Sequence, residues 1–109
     1  CFNAPVPQGY GLTETCAASC VAFLGDNSLS SVGPPSASAC IRLRDWPEGG
    51  YLFSDKDKKD VGMPRGEVLI GGPMVTPGYL VDDQHPDEDV IKKNETEYVT
   101  INGVRYFCT

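Results

Sequence analysis

The chain has 109 residues, 40% hydrophobic and 22% charged, the balance of one globular unit and not of a disordered tail. Nine Lys and Arg against 15 Asp and Glu leave a formal net charge of −6. That argues against nucleic-acid partners and anionic membrane surfaces, which need a basic face, and no run approaches the roughly 20 apolar residues of a transmembrane segment.

From Phe2 to Gln8, Pro5 and Pro7 force extended backbone and exclude helix. This approach strand delivers Gln8-Gly9-Tyr10-Gly11-Leu12-Thr13-Glu14-Thr15. Glycine allows a ligand to approach the backbone closely, and Tyr10 offers a ring for stacking. Thr13 supplies a hydroxyl for an anionic oxygen, and Glu14 a hard oxygen ligand of the kind Mg²⁺ prefers. Ring, hydroxyl and acid in that order suit a nucleotide and its metal. The competing reading of the same residues is a polar turn between a strand and a short helix. Thr13 then caps the run Cys16, Ala17, Ala18, Cys20, Val21, for which one or two helical turns closed by Gly25 are expected. Residues 1–25 thus read as strand, turn and helix, and residues 26–109 as a β-rich remainder of the same unit.

Asp26 to Ser36 is a Ser-, Gly- and Pro-rich loop. Ala37 to Trp46 alternates, with Ala37, Ala39, Ile41 and Leu43 on one side, which predicts a half-buried strand. Tyr51 to Phe53 suggests a further short strand, and Ser54 to Arg65 a solvated loop or hairpin of mixed charge. Gly66 to Ile70 reads as a strand, followed by a turn at Pro77-Gly78-Tyr79. Asp82 to Glu97 has acids early and Lys92 and Lys93 late, matching a helix dipole, with Pro86 in the first turn. His85, just ahead of Pro86, reads as a surface residue and not a catalyst. Tyr98 to Thr109 predicts a hairpin about Asn102-Gly103, with Ile101 and Val104 flanking the turn and Val99 facing Tyr106. The expected fold is mainly β with one or two short helices (α+β), a distorted barrel or a curled antiparallel sheet.

The five cysteines, Cys1, Cys16, Cys20, Cys40 and Cys108, are odd in number and include no Cys-x-x-Cys pair. Buried reduced thiols are expected, and with them an intracellular setting, cytoplasmic or peripheral on an organelle membrane. Cys16 and Cys20 would share a helical face, but no neighbouring His completes a metal site. Asn94-Glu95-Thr96 fits a glycosylation acceptor, which conflicts with that setting.

Gly9-Tyr10-Gly11-Leu12-Thr13-Glu14, then Gly66-Glu67-Val68-Leu69-Ile70-Gly71-Gly72-Pro73 and Gly78-Tyr79, resembles in order the AMP-forming acyl-CoA synthetases of the adenylate-forming superfamily. Gln8 to Ala17 together with Val32-Gly33-Pro34-Pro35 resembles their eukaryotic long-chain fatty-acid branch. The resemblance runs over nearly the whole chain and is weakest over Ser54 to Arg65. It implies a fragment of a large N-terminal domain in a two-step ligase. A fatty-acid carboxylate attacks the α-phosphate of ATP, giving acyl-AMP and pyrophosphate, and the thiol of coenzyme A then displaces AMP. On that pattern Gly9, Tyr10 and Gly11 line the adenine pocket, with Gln8 near the base edge. Thr13 bonds the α-phosphate, and Glu14 holds Mg²⁺.

Several family features are not in this stretch: the phosphate loop with its lysine, a Gly-Asp after Thr109, and the C-terminal domain. Gly71 replaces a usual basic residue, placing a local surface contact in question. The resemblance therefore leads us to expect a fragment that is inactive alone and whose Phe2–Gly11 edge, left unpaired, self-associates. Two other readings stand beside it. One is a small acidic β module that binds a partner without catalysis. The other is a relative that adenylates aryl or amino acids.

Overall fold

The computed structural model describes residues 4–26 and 28–109. Its centre is a four-stranded antiparallel sheet of β3 (Cys40–Arg44), β4 (Glu67–Gly71), β6 (Val104–Cys108) and β5 (Tyr98–Ile101), in that spatial order. A separate ribbon pairs β1 (Gly9–Tyr10) with β2 (Cys20–Val21). The one α-helix among the described residues, α1 (Glu88–Thr96), precedes β5.

The two central strands carry the apolar runs. Leu69 and Ile70 are both wholly buried, and because successive side chains point to opposite faces, the sheet is covered on both sides there. On one face Leu69, Tyr106 and Cys108 pack with Val99, Ile101 and Val104. On the other, Ile70 pairs with Phe107 and Phe107 with Tyr98, the last two rings meeting edge to face at 5.1 Å. β3, at an edge, shows the predicted alternation, with Ile41 and Leu43 half-buried and Arg42 and Arg44 exposed. The hairpin follows its expected register, Ile101 opposite Val104 and Val99 opposite Tyr106. Asn102 and Gly103 take φ of 51° and 77°, the left-handed pair this tight turn requires.

The mainly β class with one helix is present, but the sheet stays open and does not close into a barrel. β3 and β5 remain its two edges, and the β1–β2 ribbon does not bridge them. Phe2 and Asn3 lie outside the described residues, and residues 4–8 form no strand ahead of β1. The helix expected after Thr13 is absent. A single 3-10 turn, Thr13–Thr15, ends where Cys16 and Ala17 turn left-handed at φ 51° and 82°, and the chain returns as β2. In place of the short strand expected over Tyr51–Phe53, Tyr51 forms only an isolated bridge to Trp46, their rings stacked 5.9 Å apart, and Phe53 already opens a 3-10 helix, Phe53–Asp57, that runs into the stretch expected as a loop.

The charged stretch that begins within this helix is not fully solvated. Asp55 is buried, accepts hydrogen bonds from Leu52 N at 3.1 Å and Arg65 Nε at 2.8 Å, and pairs with Lys58. α1 starts later than predicted because the Asp87 side chain caps it, accepting from Asp89 N at 2.9 Å. Pro86 consequently precedes the cap and is not in the first turn. Gly71 is not a surface position: it is buried opposite Tyr106, whose ring Cε1 would lie 2.5 Å from an added Cβ.

The four described cysteines are free. Cys20 and Cys108 are buried, and burial raises both thiols above their ordinary pKa. Cys16 and Cys40 are exposed, against expectation, since Cys16 sits on the left-handed bend and Cys40 at the start of an edge strand. His85 is at the surface, 3.7 Å from Asp82. Asn94 is half-buried and both ends of its amide are engaged: Oδ1 accepts from Tyr79 N at 2.7 Å, and Nδ2 donates to Tyr79 O at 2.9 Å. The acceptor-like sequence is thus a structural clamp.

Candidate functional site

The local architecture of residues 8–15 rests on a residue that sequence reading passed over. Thr15 is wholly buried. Its hydroxyl donates to Leu12 O at 3.1 Å and accepts from Leu12 N at 3.1 Å and Ser19 Oγ at 2.9 Å. One donor and two acceptor sites are the full capacity of a hydroxyl. Such local side-chain bonds compete with helix, and they explain why the chain turns back here. The polar residue Ser19, also buried, completes this knot. Thr13 and Glu14 are consequently presented on the outside of a fixed turn.

Gly9 and Tyr10 lie in β1, opposite Val21 and Cys20. Tyr10 is half-buried, while Gln8 is exposed and its carbonyl accepts from Ala22 N at 2.8 Å. Gly11 answers to a crossing within the chain. A Cβ there would stand 1.4 Å from Ala17 O, so the returning loop itself occupies the space a side chain would need. Thr13 is exposed, and its hydroxyl forms no hydrogen bond among the described residues. That leaves it available to an incoming oxygen.

Glu14 is half-buried and meets a distant partner. Its Oε1 accepts from the Tyr79 hydroxyl at 2.6 Å, across 65 residues of sequence. The same hydroxyl lies 3.0 Å from Glu97 Oε2. The Tyr79 bond holds the Glu14 carboxyl below the usual carboxylate range. In return the Glu14 carboxylate, with burial and Glu97 adding, pushes the Tyr79 phenol well above its ordinary pKa. Near neutral pH, then, Glu14 is ionised and Tyr79 keeps its proton. The Glu14 backbone is fixed as well, its carbonyl accepting from Thr76 N at 2.8 Å. No group of three or more His, Cys, Asp or Glu gathers for a metal among the described residues. The ionised Glu14 carboxylate, with Oε1 taken by Tyr79 and no hydrogen bond to Oε2 among the described residues, suits Mg²⁺, which keeps several waters and takes one or two protein carboxylates beside substrate phosphates.

Two grooves, of about 440 Å³ beside Trp46, Tyr51 and Thr109 and about 610 Å³ beside Phe23, Leu24 and Pro34, contain none of residues 8–14. Neither Tyr79 nor Glu97 was predicted as part of the motif; the Gly78-Tyr79 step of the resemblance was the one signal that pointed there.

Residues 1–80 match the family described as AMP-binding enzyme, and the chain belongs to that family. Among its curated relatives, Long chain acyl-CoA synthetase 8 of Arabidopsis thaliana is 42% identical over 109 residues, all of this chain and 14% of that protein. Fatty acyl-CoA synthetase A of Dictyostelium discoideum is 41% identical over 90 residues, 83% of this chain and 13% of that protein. Long chain acyl-CoA synthetase 7, peroxisomal, of Arabidopsis thaliana is 37% identical over 91 residues, 81% of this chain and 12% of that protein. The chain thus spans about one seventh or less of the length of these relatives.

Proposed function

We propose that this chain forms part of a long-chain fatty-acid–CoA ligase that uses ATP to make acyl-AMP and passes the acyl group to coenzyme A. The observation that carries the proposal is the ionised Glu14 carboxylate, held by Tyr79 on a turn tied from inside by Thr15. The names of these relatives, acyl-CoA synthetases of long-chain and fatty acids, support fatty acids over aryl or amino acids as the acyl substrate. Residues 1–25 carry the nucleotide motif, and residues 26–109 form the β-rich support on which Tyr79 and Glu97 are mounted.

In this reading Tyr10 stacks on adenine, with Gln8, Gly9 and Gly11 along the base. The Thr13 hydroxyl donates to an α-phosphate oxygen, and Glu14 holds Mg²⁺. When bound, Mg²⁺ supplies neutralisation of phosphate charge. The protein's own part is to orient: attack at phosphorus gains chiefly from positioning and from fixed charges aimed where charge develops. The Thr15 knot serves that end by removing freedom from Thr13 and Glu14 before substrate arrives. No helix among the described residues is long and apolar enough to cross a membrane, and a cytoplasmic or peripheral placement on an organelle membrane is part of the proposal. It has support in the peroxisomal names among the relatives.

In the full-length enzyme, Glu14→Gln keeps the shape and removes the charge. Fatty-acid-dependent ATP–pyrophosphate exchange should fall about 10²–10³-fold, the cost of losing one preorganised electrostatic contact, with fatty-acid binding little changed. Equal exchange rates for variant and wild type at saturating Mg²⁺ would remove Glu14 from the metal site.

A further inference from the structure

Tyr79 is held more firmly than a turn residue needs to be. Asn94, from α1, clamps its backbone on both sides, accepting from its N–H at 2.7 Å and donating to its carbonyl at 2.9 Å. An added Cβ at the preceding Gly78 would lie 2.8 Å from that same Asn94 side chain, so the glycine allows the clamp to close. The ring is fixed as well, edge on to Tyr98 with centroids 5.9 Å apart. Tyr98 is buried, its own hydroxyl 2.9 Å from Thr76 Oγ1 and its ring beneath the Arg105 guanidinium at 4.6 Å. Everything around Tyr79 thus fixes the position of one atom, its hydroxyl oxygen, between the carboxylates of Glu14 and Glu97.

We infer that Tyr79 is a positioning residue for the metal-holding carboxylate. Its hydroxyl occupies Oε1 of Glu14, leaves Oε2 to the metal, and stands between the carboxylates of Glu14 and Glu97. This rests on the proposed role of Glu14. Without the hydroxyl, Glu14 and Glu97 are left as neighbouring like charges with no donor between them, and the Glu14 side chain turns away. Partners that orient a metal ligand in this way typically contribute about 10–100-fold to metal affinity.

The test uses the full-length enzyme with Mn²⁺ in place of Mg²⁺, and free Mn²⁺ is read by electron paramagnetic resonance in the presence of ATP. Tyr79→Phe keeps the ring against Tyr98 and should raise the Mn²⁺ half-saturation about tenfold, while the half-saturation for fatty acid stays within about twofold. Adding Glu97→Gln to Tyr79→Phe should recover part of the loss, because it removes the neighbouring like charge. Should Tyr79→Phe fail to fold by circular dichroism, Asn94→Ala, which frees the Tyr79 backbone, is read in the same way and should shift Mn²⁺ binding in the same direction. Glu14→Gln separates the two claims. If it weakens Mn²⁺ binding and the Tyr79 and Asn94 variants do not, the positioning role is overturned and the metal role of Glu14 stands. If Glu14→Gln leaves Mn²⁺ binding at the wild-type value, both fall.

Discussion

Replacing Thr15 by valine keeps the outline of the side chain and deletes a hydroxyl that makes three hydrogen bonds. Leu12 N and Ser19 Oγ would lose partners at a site where Thr15 and Ser19 are both buried. Leaving buried donors unmade costs more than a hydrogen bond contributes, about 1–3 kcal/mol each at full burial. Since Leu12 is half-buried, Thr15→Val should destabilise by about 2 kcal/mol, read as a lowered denaturant midpoint at unchanged slope. If Thr13 and Glu14 act as proposed, ATP–pyrophosphate exchange by the full-length enzyme should fall with it, because both would lose their fixed turn. Sequence reading assigned Thr13 and Glu14 to chemistry and gave Thr15 no role. The reason is physical: a threonine's type says nothing of whether its hydroxyl points inward, and only the return of Ser19 onto the turn makes it a buried knot.

Among the elements, the loop from Phe53 to Arg65 departs furthest from its sequence pattern. Its alternating acids and lysines suggest a solvated stretch, yet Asp55 is buried at its centre and organises it. Lys58, the Leu52 N–H and Arg65 together hold the Asp55 carboxyl down to about 2. An ordinary aspartate titrates near 3.9 when unfolded. A depressed native pKa stabilises the fold at all pH values above the unfolded one, and that contribution is lost as pH falls through the native one. Acid unfolding should therefore show a component between about pH 4 and pH 2 that is absent in Asp55→Asn, a variant that should also be less stable at neutral pH. Superimposable acid profiles for the two proteins would mean that Asp55 does not hold the loop. The hairpin at Asn102-Gly103 stands at the other extreme. Two adjacent residues and their backbone preferences suffice to specify it, so it was legible from sequence to the register of each pair.

Over the whole molecule, burial is incomplete. The accessible surface is 8042 Å², against about 5,900 Å² for a compact monomer of this mass. The radius of gyration is 16.9 Å, where about 13 Å is usual for this length. Phe23, Leu24, Leu29 and Leu80 are left largely in solvent, and the open sheet keeps β3 and β5 as free edges. Uncovered edges and apolar side chains favour pairing with a second copy. Light scattering of the isolated 109-residue chain should show mass rising with concentration; a constant monomer mass over the accessible range would refute this. Within the Phe2–Gly11 stretch, where an unpaired edge is expected, β1 pairs β2 on one side only.

What the amino-acid order determined by itself was local or linear: the alternation of β3, the positive-φ turn of the final hairpin, the mainly β class, and the ordered motifs that resemble a family. Each depends on neighbours within a few residues or on the succession of short signatures. Tertiary structure alone decided that Glu14 meets Tyr79 across 65 residues, that Asp55 is an interior charge, that Gly71 lies beneath Tyr106, and that the turn after Thr13 becomes a strand and not a helix. These outcomes turn on which side chains the sheet register and the returning loops bring within hydrogen-bond or contact distance, and such proximity is a property of the folded path that no local propensity encodes.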